Sequence, residues 1–491
     1  MSKNQSSQLS QGIYDARQLG WPKTILLGMQ HTFAMFGATV LVPLLTGLSI
    51  STTLLMAGIG TLLFHLLTKG KVPAFLGSSF AFLGGYAAVA PLQNGHPNTE
   101  MLPYACGGVI FAGLVYVLLA ALIKFFTVEK VMSFFPPVVT GPIIISIGLI
   151  LAPSAIAKTD WTLALIALGS IIFFNMWGRG MMKIVPILLG ILIAYGCAIL
   201  MNKVDFTSIS SANYLAMPPI TIAKFDISAI ITIMPIALAT MMEHIGDISA
   251  IGATTGRNYI VNPGLHRTLL GDGLATIFAS FFGGPANTTY GENTGVLALT
   301  KVYDPLVIRI AACFAIILSF IPKFAGVIEA IPTAIIGGVS LILYGMISAI
   351  GIRNLVENQV NFKNTRNTII TALILVCALG FNNIGGVTFI IAGVKINLSG
   401  LAIASIVGII ANWILPGKDY VFNKDDVLDD KFQTFQGANQ RRLSDEEIEE
   451  YEKYLAEKEK EREAIRMERQ REQEEAEKEE KKYPVKKEKD K

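Results

Sequence analysis

One stretch of this chain reads Pro285-Ala-Asn-Thr-Thr-Tyr-Gly-Glu-Asn-Thr-Gly-Val-Leu-Ala-Leu-Thr300. It lies deep in apolar sequence, yet it carries a carboxylate, hydroxyls, amides and two glycines. A carboxylate such as Glu292 costs about 2.5–3.5 kcal/mol near the centre of a bilayer, so it should face protein or a water-filled cavity. The stretch therefore predicts the centre of a binding site for a small polar solute.

The composition of the whole sequence is typical of a polytopic membrane protein. Its 491 residues have a mean hydropathy of +0.52, with 52% hydrophobic and 16% charged residues, which is too apolar for a soluble protein of several domains. The sequence predicts an all-α fold with fourteen spanning or near-spanning segments. They lie at about 23–46, 51–68, 74–92, 103–125, 134–156, 161–178, 182–201, 228–249, 268–284, 287–300, 305–323, 331–352, 367–387 and 399–416.

Segments three and ten begin with polar runs where a continuous membrane helix would carry Leu or Val. These runs are Gly77-Ser-Ser-Phe80 and Ala286-Asn-Thr-Thr-Tyr290. Interrupted segments in corresponding positions of two halves are the best sequence indication of a transporter's binding site. The two runs are therefore expected to meet.

Short matches recur in the same order at an offset of about 200 residues, as two homologous halves would require. The matched pairs are Gly28-Met-Gln-His31 with Met241-Met-Glu-His244, Ser78-Ser-Phe80 with Thr288-Thr-Tyr290, and Pro136 and Gly141 with Pro332 and Gly337. Because each half would hold seven segments, an odd number, the second half should be inverted relative to the first.

The distribution of positive charge predicts the orientation. With a cytoplasmic N-terminus, the inside loops are rich in Lys and Arg and the outside loops are poor in them, so the rule that positive loops stay inside places both termini in the cytoplasm. The inside residues would be Lys69, Lys71, Lys124, Lys130, Arg179, Lys183, Arg257, Arg267, Lys301, Arg353, Lys363 and Arg366. The protein is thus expected to be a multi-pass protein of the cell membrane.

From about residue 417 the chain becomes a charged tail. Ser444 and Glu447 form a capping box, flanked by Leu443 and Ile448 as a hydrophobic staple. A helix is predicted from about 444, dense in opposite charges four residues apart and poor in apolar positions. A solvated helix is therefore favoured over a coiled coil, and nothing in the tail names a partner.

The polar runs have a specific chemical interpretation. Asn287, Thr288 and Thr289 are helix-capping residue types placed before a short helix, and Ser78 and Ser79 would cap segment three in the same way. Two half-helix N-termini would then converge, offering backbone N–H groups to the carbonyl oxygens of a ligand.

Acceptors and ring faces complete the predicted site. Glu243 and Glu292 would accept from ring N–H groups, and Phe80 and Tyr290 offer aromatic faces. Gly291 would permit close approach of the backbone. The residues thus favour a flat, neutral, amide-like solute.

The same residues carry a family resemblance over about residues 20–415. The run Glu292-Asn-Thr-Gly-Val-Leu-Ala-Leu-Thr300-Lys301 resembles the signature of the nucleobase–ascorbate transporters, also called nucleobase:cation symporter-2. Gln30-His31 resembles the segment-one motif of that family. The runs Ala74–Phe82 and Asn287–Asn293 are similar to its bacterial uracil permeases.

The resemblance implies a core domain and a gate domain, with two short strands in segments three and ten that hold the substrate. The implied parts are a cytoplasmic N-terminal segment (1–22), core segments 1–4 (23–125), gate segments 5–7 (126–201), core segments 8–10 (202–304), core segment 11 (305–330), gate segments 12–14 (331–416) and the cytoplasmic tail (417–491). Family resemblance also implies a homodimer through the gate domain.

Residue roles carry over from the resemblance one position at a time. Glu243 and Glu292 would hydrogen-bond the uracil ring, and Phe80 would contact its face. Backbone groups of Tyr290 and Gly291 would reach the uracil carbonyls. Further pocket or gate-facing positions match Ala38 and Tyr344. Purine-selective members more often carry Gln at the position of Glu292, which favours a pyrimidine.

One position departs from the uracil-permease pattern. Where the best-known type has a His thought to take part in proton coupling, this chain has Asp247, and purine members often carry Asp there. Asp247 lies on the same helix face as Glu243. The implied proton-coupling group is therefore among Asp247, Glu243 and His244, while His244 is also typical of interhelical hydrogen bonding, as is His31.

The expected function is import of uracil by proton symport, through an elevator-like movement of core against gate. The proton gradient would be the driving force, with no cofactor, metal or nucleic acid. A xanthine or urate symporter of the same family is the alternative, and an anion exchanger of the sulfate-transporter type is a more distant one that a carboxylate pair disfavours. A membrane enzyme is disfavoured because the chain shows no nucleophile, metal or cofactor motif.

Overall fold

The computed structural model describes residues 12–91, 93, 97–125, 136–157, 161–391 and 394–417. These residues belong to one compact unit. The charged tail with its predicted helix, and the first eleven residues, lie outside the described part of the chain. The side chains of Ala38 and Glu292 are also outside it, although both residues belong to described helices.

The first half of the chain is helical apart from one short strand. Its elements are α1 (Trp21–Thr46), α2 (Ile50–Leu67), β1 (Leu76–Ser78), α3 (Leu83–Val89), α4 (Leu102–Phe125), α5 (Pro137–Ala157), α6 (Trp161–Trp177), α7 (Met181–Ile184) and α8 (Pro186–Leu200). A 3₁₀ turn, Phe80–Phe82, joins β1 to α3.

The second half follows the same order with additions. Its elements are α9 (Thr207–Ser211), α10 (Ile227–Ile233), α11 (Ile236–Thr255), α12 (Leu265–Phe281), β2 (Asn287–Thr289), α13 (Gly291–Thr300), α14 (Pro305–Ser319), α15 (Pro322–Glu329), α16 (Thr333–Glu357), α17 (Thr365–Asn383), β3 (Val387–Ile391), β4 (Val394–Leu398) and α18 (Gly400–Ile414).

Many of these helices suit a bilayer. In the described residues, seven spans are long and apolar enough to cross a membrane, and an eighth arises if α14 and α15, bent by 84°, are counted as one. The chain is therefore a mostly helical, multi-pass membrane protein. Each of the fourteen predicted segments contains a helix, while the count of fourteen crossings stays a prediction.

The polar runs of segments three and ten form the two short strands. β1 and β2 pair antiparallel, with Leu76 opposite Thr289, Gly77 opposite Thr288 and Ser78 opposite Asn287. All six residues are buried, so their backbone groups need partners inside the protein. The strands supply partners to each other, and the side chains of Thr61 and Thr276 bind the backbone of Leu76 and of Asn287. We call this strand pairing the strand crossing.

Helix packing is repeated between the two halves. The pairs α4–α12 and α2–α14 are equivalent under an offset of seven segments, as are α6–α16 with α17–α5, and α6–α8 with α17–α18. The helices α5 and α16, equivalent to each other, also pack together. This is the packing that two homologous halves require, whereas the proposed boundaries between core and gate stay predictions.

One element was not expected from the sequence. A β-hairpin, β3 and β4, follows α17, with Val387 opposite Leu398 and Ile391 opposite Val394. Gly385 and Gly386 follow α17 with φ of 81° and 87°. Glycine adopts such left-handed backbone angles more easily than other residues. The run after these two glycines lies between predicted segments thirteen and fourteen and is rich in β-branched residues, which favour strands.

Candidate functional site

The strand crossing extends beyond its three paired residues. Ser79 donates its backbone N–H to Ala286 O at 2.9 Å, and Tyr290 donates its backbone N–H to Phe75 O at 3.0 Å. Ser79 lies between β1 and the 3₁₀ turn, and Tyr290 lies between β2 and α13. The crossing therefore holds the beginnings of the 3₁₀ turn and of α13 in fixed positions.

Tyr290 acts as a clamp across the crossing. Its hydroxyl donates to Ser78 O at 2.9 Å and accepts from Thr39 Oγ1 at 3.2 Å. Its ring lies so close to Gly77 that a Cβ there would stand 2.5 Å from ring carbons. With 4% of the residue exposed, the ring is packed inside the protein, and the predicted contact of a ligand with its face stays a prediction. The predicted role of the Tyr290 backbone stays a prediction.

The prediction that the polar run caps α13 is wrong. Asn287 instead donates its side-chain amide N–H to Met56 O at 3.0 Å. Its backbone carbonyl accepts from Thr276 Oγ1 at 2.6 Å. Tyr290 is the N-cap of α13 and Ser79 that of the 3₁₀ turn, and within the described residues neither makes a side-chain capping bond. The side chains of a strand point sideways to neighbouring helices, so they cannot reach the N–H groups of the helix that follows.

A cluster of ionisable side chains lies beside β2. Thr289 Oγ1 donates to Asp247 Oδ2 at 3.0 Å and lies 3.4 Å from His244 Nδ1. His244 Nδ1 lies 3.2 Å from Asp272 Oδ2, and both of these residues are fully buried. A buried imidazole paired with a buried carboxylate can hold and exchange a proton. A Cβ placed on Gly291 would lie 3.2 Å from Asp247 Oδ1, so that carboxylate also faces the start of α13.

The structure thus brings together three of the predicted residues, Asp247, His244 and Gly291, and adds two that sequence reasoning did not place there. Asp272 is a lone acid in an apolar segment, which is itself a signal of function in the sequence. Thr289 was interpreted as a cap. No pattern in the sequence distinguishes a threonine that binds a carboxylate from one that binds its own helix.

The other predicted site residues have separate positions. Glu243 is half-buried one turn before Asp247 in α11, and Phe80 is half-buried at the start of the 3₁₀ turn. Tyr344 is buried in α16 where Gly148 of α5 approaches its backbone. Direct ligand contacts of Glu243, Phe80 and Tyr344 stay predictions, as do those of Ala38 and Glu292, whose side chains fall outside the described part.

In the ranges that the structure describes, no group of three or more His, Cys, Asp or Glu side chains is arranged to hold a metal ion. What the cluster offers is a hydroxyl, an imidazole and two carboxylates linked in series, next to the backbone turn that begins α13.

Comparison with known proteins gives concordant results. A model of the permease family matches residues 22–385. A uracil permease of Bacillus caldolyticus is 41% identical over 411 residues, covering 80% of this chain and 92% of the relative. A uracil permease of Escherichia coli strain K12 is 41% identical over 410 residues, covering 79% of this chain and 90% of the relative.

Among solved structures, the transmembrane domain of BicA, a cyanobacterial bicarbonate transporter, superposes with a TM-score of 0.54 over 82% of this chain and 99% of that one. At 14% identity this likeness concerns the fold alone. The family model spans most of the chain, and the sequence relatives align over most of their own length. The chain therefore belongs to the permease family of nucleobase:cation symporter-2 transporters, and it is a transporter rather than an enzyme.

Proposed function

We propose that this protein imports uracil together with protons across the cell membrane. The observation that carries the proposal is the identity of about 40% with uracil permeases over four fifths of the chain. The proton gradient is the driving force, and no cofactor takes part.

The strand crossing supports a planar amide-like ligand. In the described residues, neither α13 nor the 3₁₀ turn has a side-chain capping bond at its N-terminus. The N–H groups in the first turn of α13 are therefore suited to bind ligand carbonyls. In sequence, Glu243 precedes β2 and Glu292 follows it, and both are proposed as acceptors for ring N–H groups. Alternating C=O and N–H edges are what a uracil ring presents.

The cluster beside β2 supports proton coupling. Asp247, His244 and Asp272 lie in series, and the last two are fully buried. A titratable group that is shielded from water can link proton uptake to ligand binding when it lies close to the protein backbone that binds the substrate. We assign the coupling proton to this cluster or to Glu243, and Asp247 is the carboxylate of the cluster that lies next to the start of α13.

The wider architecture belongs to the same proposal. Fourteen segments cross the membrane as two inverted halves, both termini are cytoplasmic, and the core domain moves against a gate domain through which two copies pair. The repeated helix pairs support the two-fold relation between the halves.

Uptake of labelled uracil into proteoliposomes with an imposed proton gradient tests the proposal. Accumulation should collapse with an uncoupler, should resist competition by xanthine, and should be lost in Glu243→Gln and Glu292→Gln. Glu100→Gln, on an exposed turn, is the matched control and should transport like the parent protein.

Other outcomes would replace the proposal. Xanthine uptake without uracil uptake would establish the purine alternative, which Asp247 favours. Uptake of bicarbonate or sulfate without either nucleobase would establish an anion transporter.

A further inference from the structure

Thr289 lies at the junction between β2 and α13. It is the last residue of the strand, immediately before Tyr290 and the start of α13. Its hydroxyl contacts Asp247 and His244, both on α11, and His244 in turn contacts Asp272 on α12. Through one side chain, the backbone of segment ten is joined to ionisable groups on two other helices.

The available protons fix the direction of these contacts. A hydroxyl has one proton to donate, and Thr289 donates it to Asp247 Oδ2 at 3.0 Å. Its contact with His244 must therefore use a proton on Nδ1. Nδ1 also lies 3.2 Å from Asp272 Oδ2, and a neighbouring carboxylate favours a proton on that nitrogen.

Both carboxylate oxygens of Asp247 lie near the junction between β2 and α13. Oδ2 accepts from Thr289, while Oδ1 lies 3.2 Å from the position that a Cβ of Gly291 would take. If Asp247 gains a proton on Oδ2, that oxygen becomes a donor and competes with the Thr289 hydroxyl proton. The contact must then rearrange, and the strand residue that carries the hydroxyl is directly attached to the start of α13.

We propose that Thr289 is the positioning residue that transmits the protonation state of Asp247 to the backbone at the start of α13. Substrate affinity then depends on whether Asp247 is protonated, because the backbone that receives the substrate is held by the same hydroxyl. This inference rests on the proposed function, proton-coupled uracil transport.

Two assays on the same proteoliposomes separate coupling from binding. The first measures exchange of internal unlabelled uracil for external labelled uracil at equal pH, and the second measures net accumulation driven by an inward proton gradient. Thr289→Val keeps the shape of the side chain and removes its donor, whereas Thr289→Ser keeps the donor. In Thr289→Val, accumulation should fall about tenfold more than exchange, within the range of ~5–150-fold typical of coupling between two sites. Thr289→Ser should restore the ratio.

Two further threonines serve as controls for the same isosteric change. The Thr276 hydroxyl binds the backbone of β2 at Asn287 without contacting a carboxylate, and the Thr254 hydroxyl binds only its own helix at Ala250 O, 2.8 Å away. Thr276→Val should lower exchange and accumulation by the same factor, since it loosens the strand alone. Thr254→Val should leave their ratio unchanged.

Two results would overturn the inference, and they are distinguishable. If Thr289→Val lowers both activities equally, as Thr276→Val does, Thr289 has only a structural role while proton symport stands. If the parent protein exchanges uracil but never accumulates it under a proton gradient, proton symport fails and the inference fails with it.

Discussion

The strand crossing and the α5–α16 interface are both buried, and they differ in how closely their backbones approach each other. At the crossing, short polar strands are held by directed hydrogen bonds, such as those of Tyr290 with Ser78 and Thr39. Between α5 and α16, backbones approach each other at glycines. A Cβ on Gly148 would lie 2.1 Å from Tyr344 O, and one on Gly351 would lie 2.7 Å from Gly141 O.

The difference follows from the membrane setting. Helices in lipid gain little from hydrophobic burial against each other, so they associate through close packing at small residues. Interrupted backbone inside a membrane protein must instead satisfy its own polar groups. A change of volume should therefore damage the interface most, and a change of hydrogen bonding at constant volume should damage the crossing most.

The largest effect is expected from added volume at the interface. Gly148→Leu forces a side chain into the backbone of α16 and should cost about 3 kcal/mol, the upper end of overpacking penalties. The thermal unfolding midpoint in detergent measures it. Gly345→Leu is the control, because a Cβ on Gly345 meets nothing within 4 Å. Equal midpoints for the two variants would contradict the close approach described here.

A smaller loss of stability, with a larger loss of transport, is expected at the crossing. Gly77→Ala places a methyl group against the Tyr290 ring, which must shift, at a cost of about 2 kcal/mol. Uracil uptake should fall by more than the folded fraction does, because the ring clamps the strands that form the site. Gly84→Ala, in the same segment and with nothing within 4 Å of its Cβ, should keep both properties. Normal uptake in Gly77→Ala would show that the clamp is dispensable.

Removal of one hydroxyl tests the same clamp at nearly constant volume. Tyr290→Phe loses the bonds to Ser78 O and Thr39 Oγ1 and should cost about 1 kcal/mol, since hydrogen bonds between membrane helices average ~0.6 kcal/mol each. Equilibrium unfolding by denaturant measures the loss. Tyr195→Phe is a matched control, because the Tyr195 hydroxyl is buried with no hydrogen-bond partner among the described residues. A cost at Tyr195 equal to that at Tyr290 would contradict this account.

The smallest expected effect is the coupling free energy between the side chains of Thr39 and Tyr290, measured from the free energies of unfolding of the single and double variants. Thr39→Val and Tyr290→Phe remove the same hydrogen bond, so the double variant should be about 0.6 kcal/mol more stable than the sum of the single losses predicts. Thr254→Val combined with Tyr290→Phe should be additive, since the Thr254 hydroxyl binds its own helix. Additivity in both pairs would mean that the Thr39–Tyr290 bond contributes nothing.

The sequence permitted prediction of the membrane class, of two related halves and of the meeting of the polar runs of segments three and ten. Hydropathy is a sum over neighbours in the chain, and it marks membrane helices without knowledge of their partners. A polar run such as Ala286–Tyr290 is conspicuous for the same reason, and the family motif around Glu292 could be recognised from its spacing alone. The repeated helix pairs agree with the order of the short sequence matches.

The partners of the polar side chains were decided by tertiary structure. Asn287 was interpreted as a cap and binds Met56, 231 residues away in the sequence, and Tyr290 was interpreted as a ligand face and clamps Ser78, 212 residues away. Amides and hydroxyls can serve as caps, clamps or relays equally well. Which of these they become depends on the groups that folding brings within about 3 Å, the length of a hydrogen bond. The sequence alone determined that these groups had to be buried together, and only the packing of helices from both halves determined which of them meet.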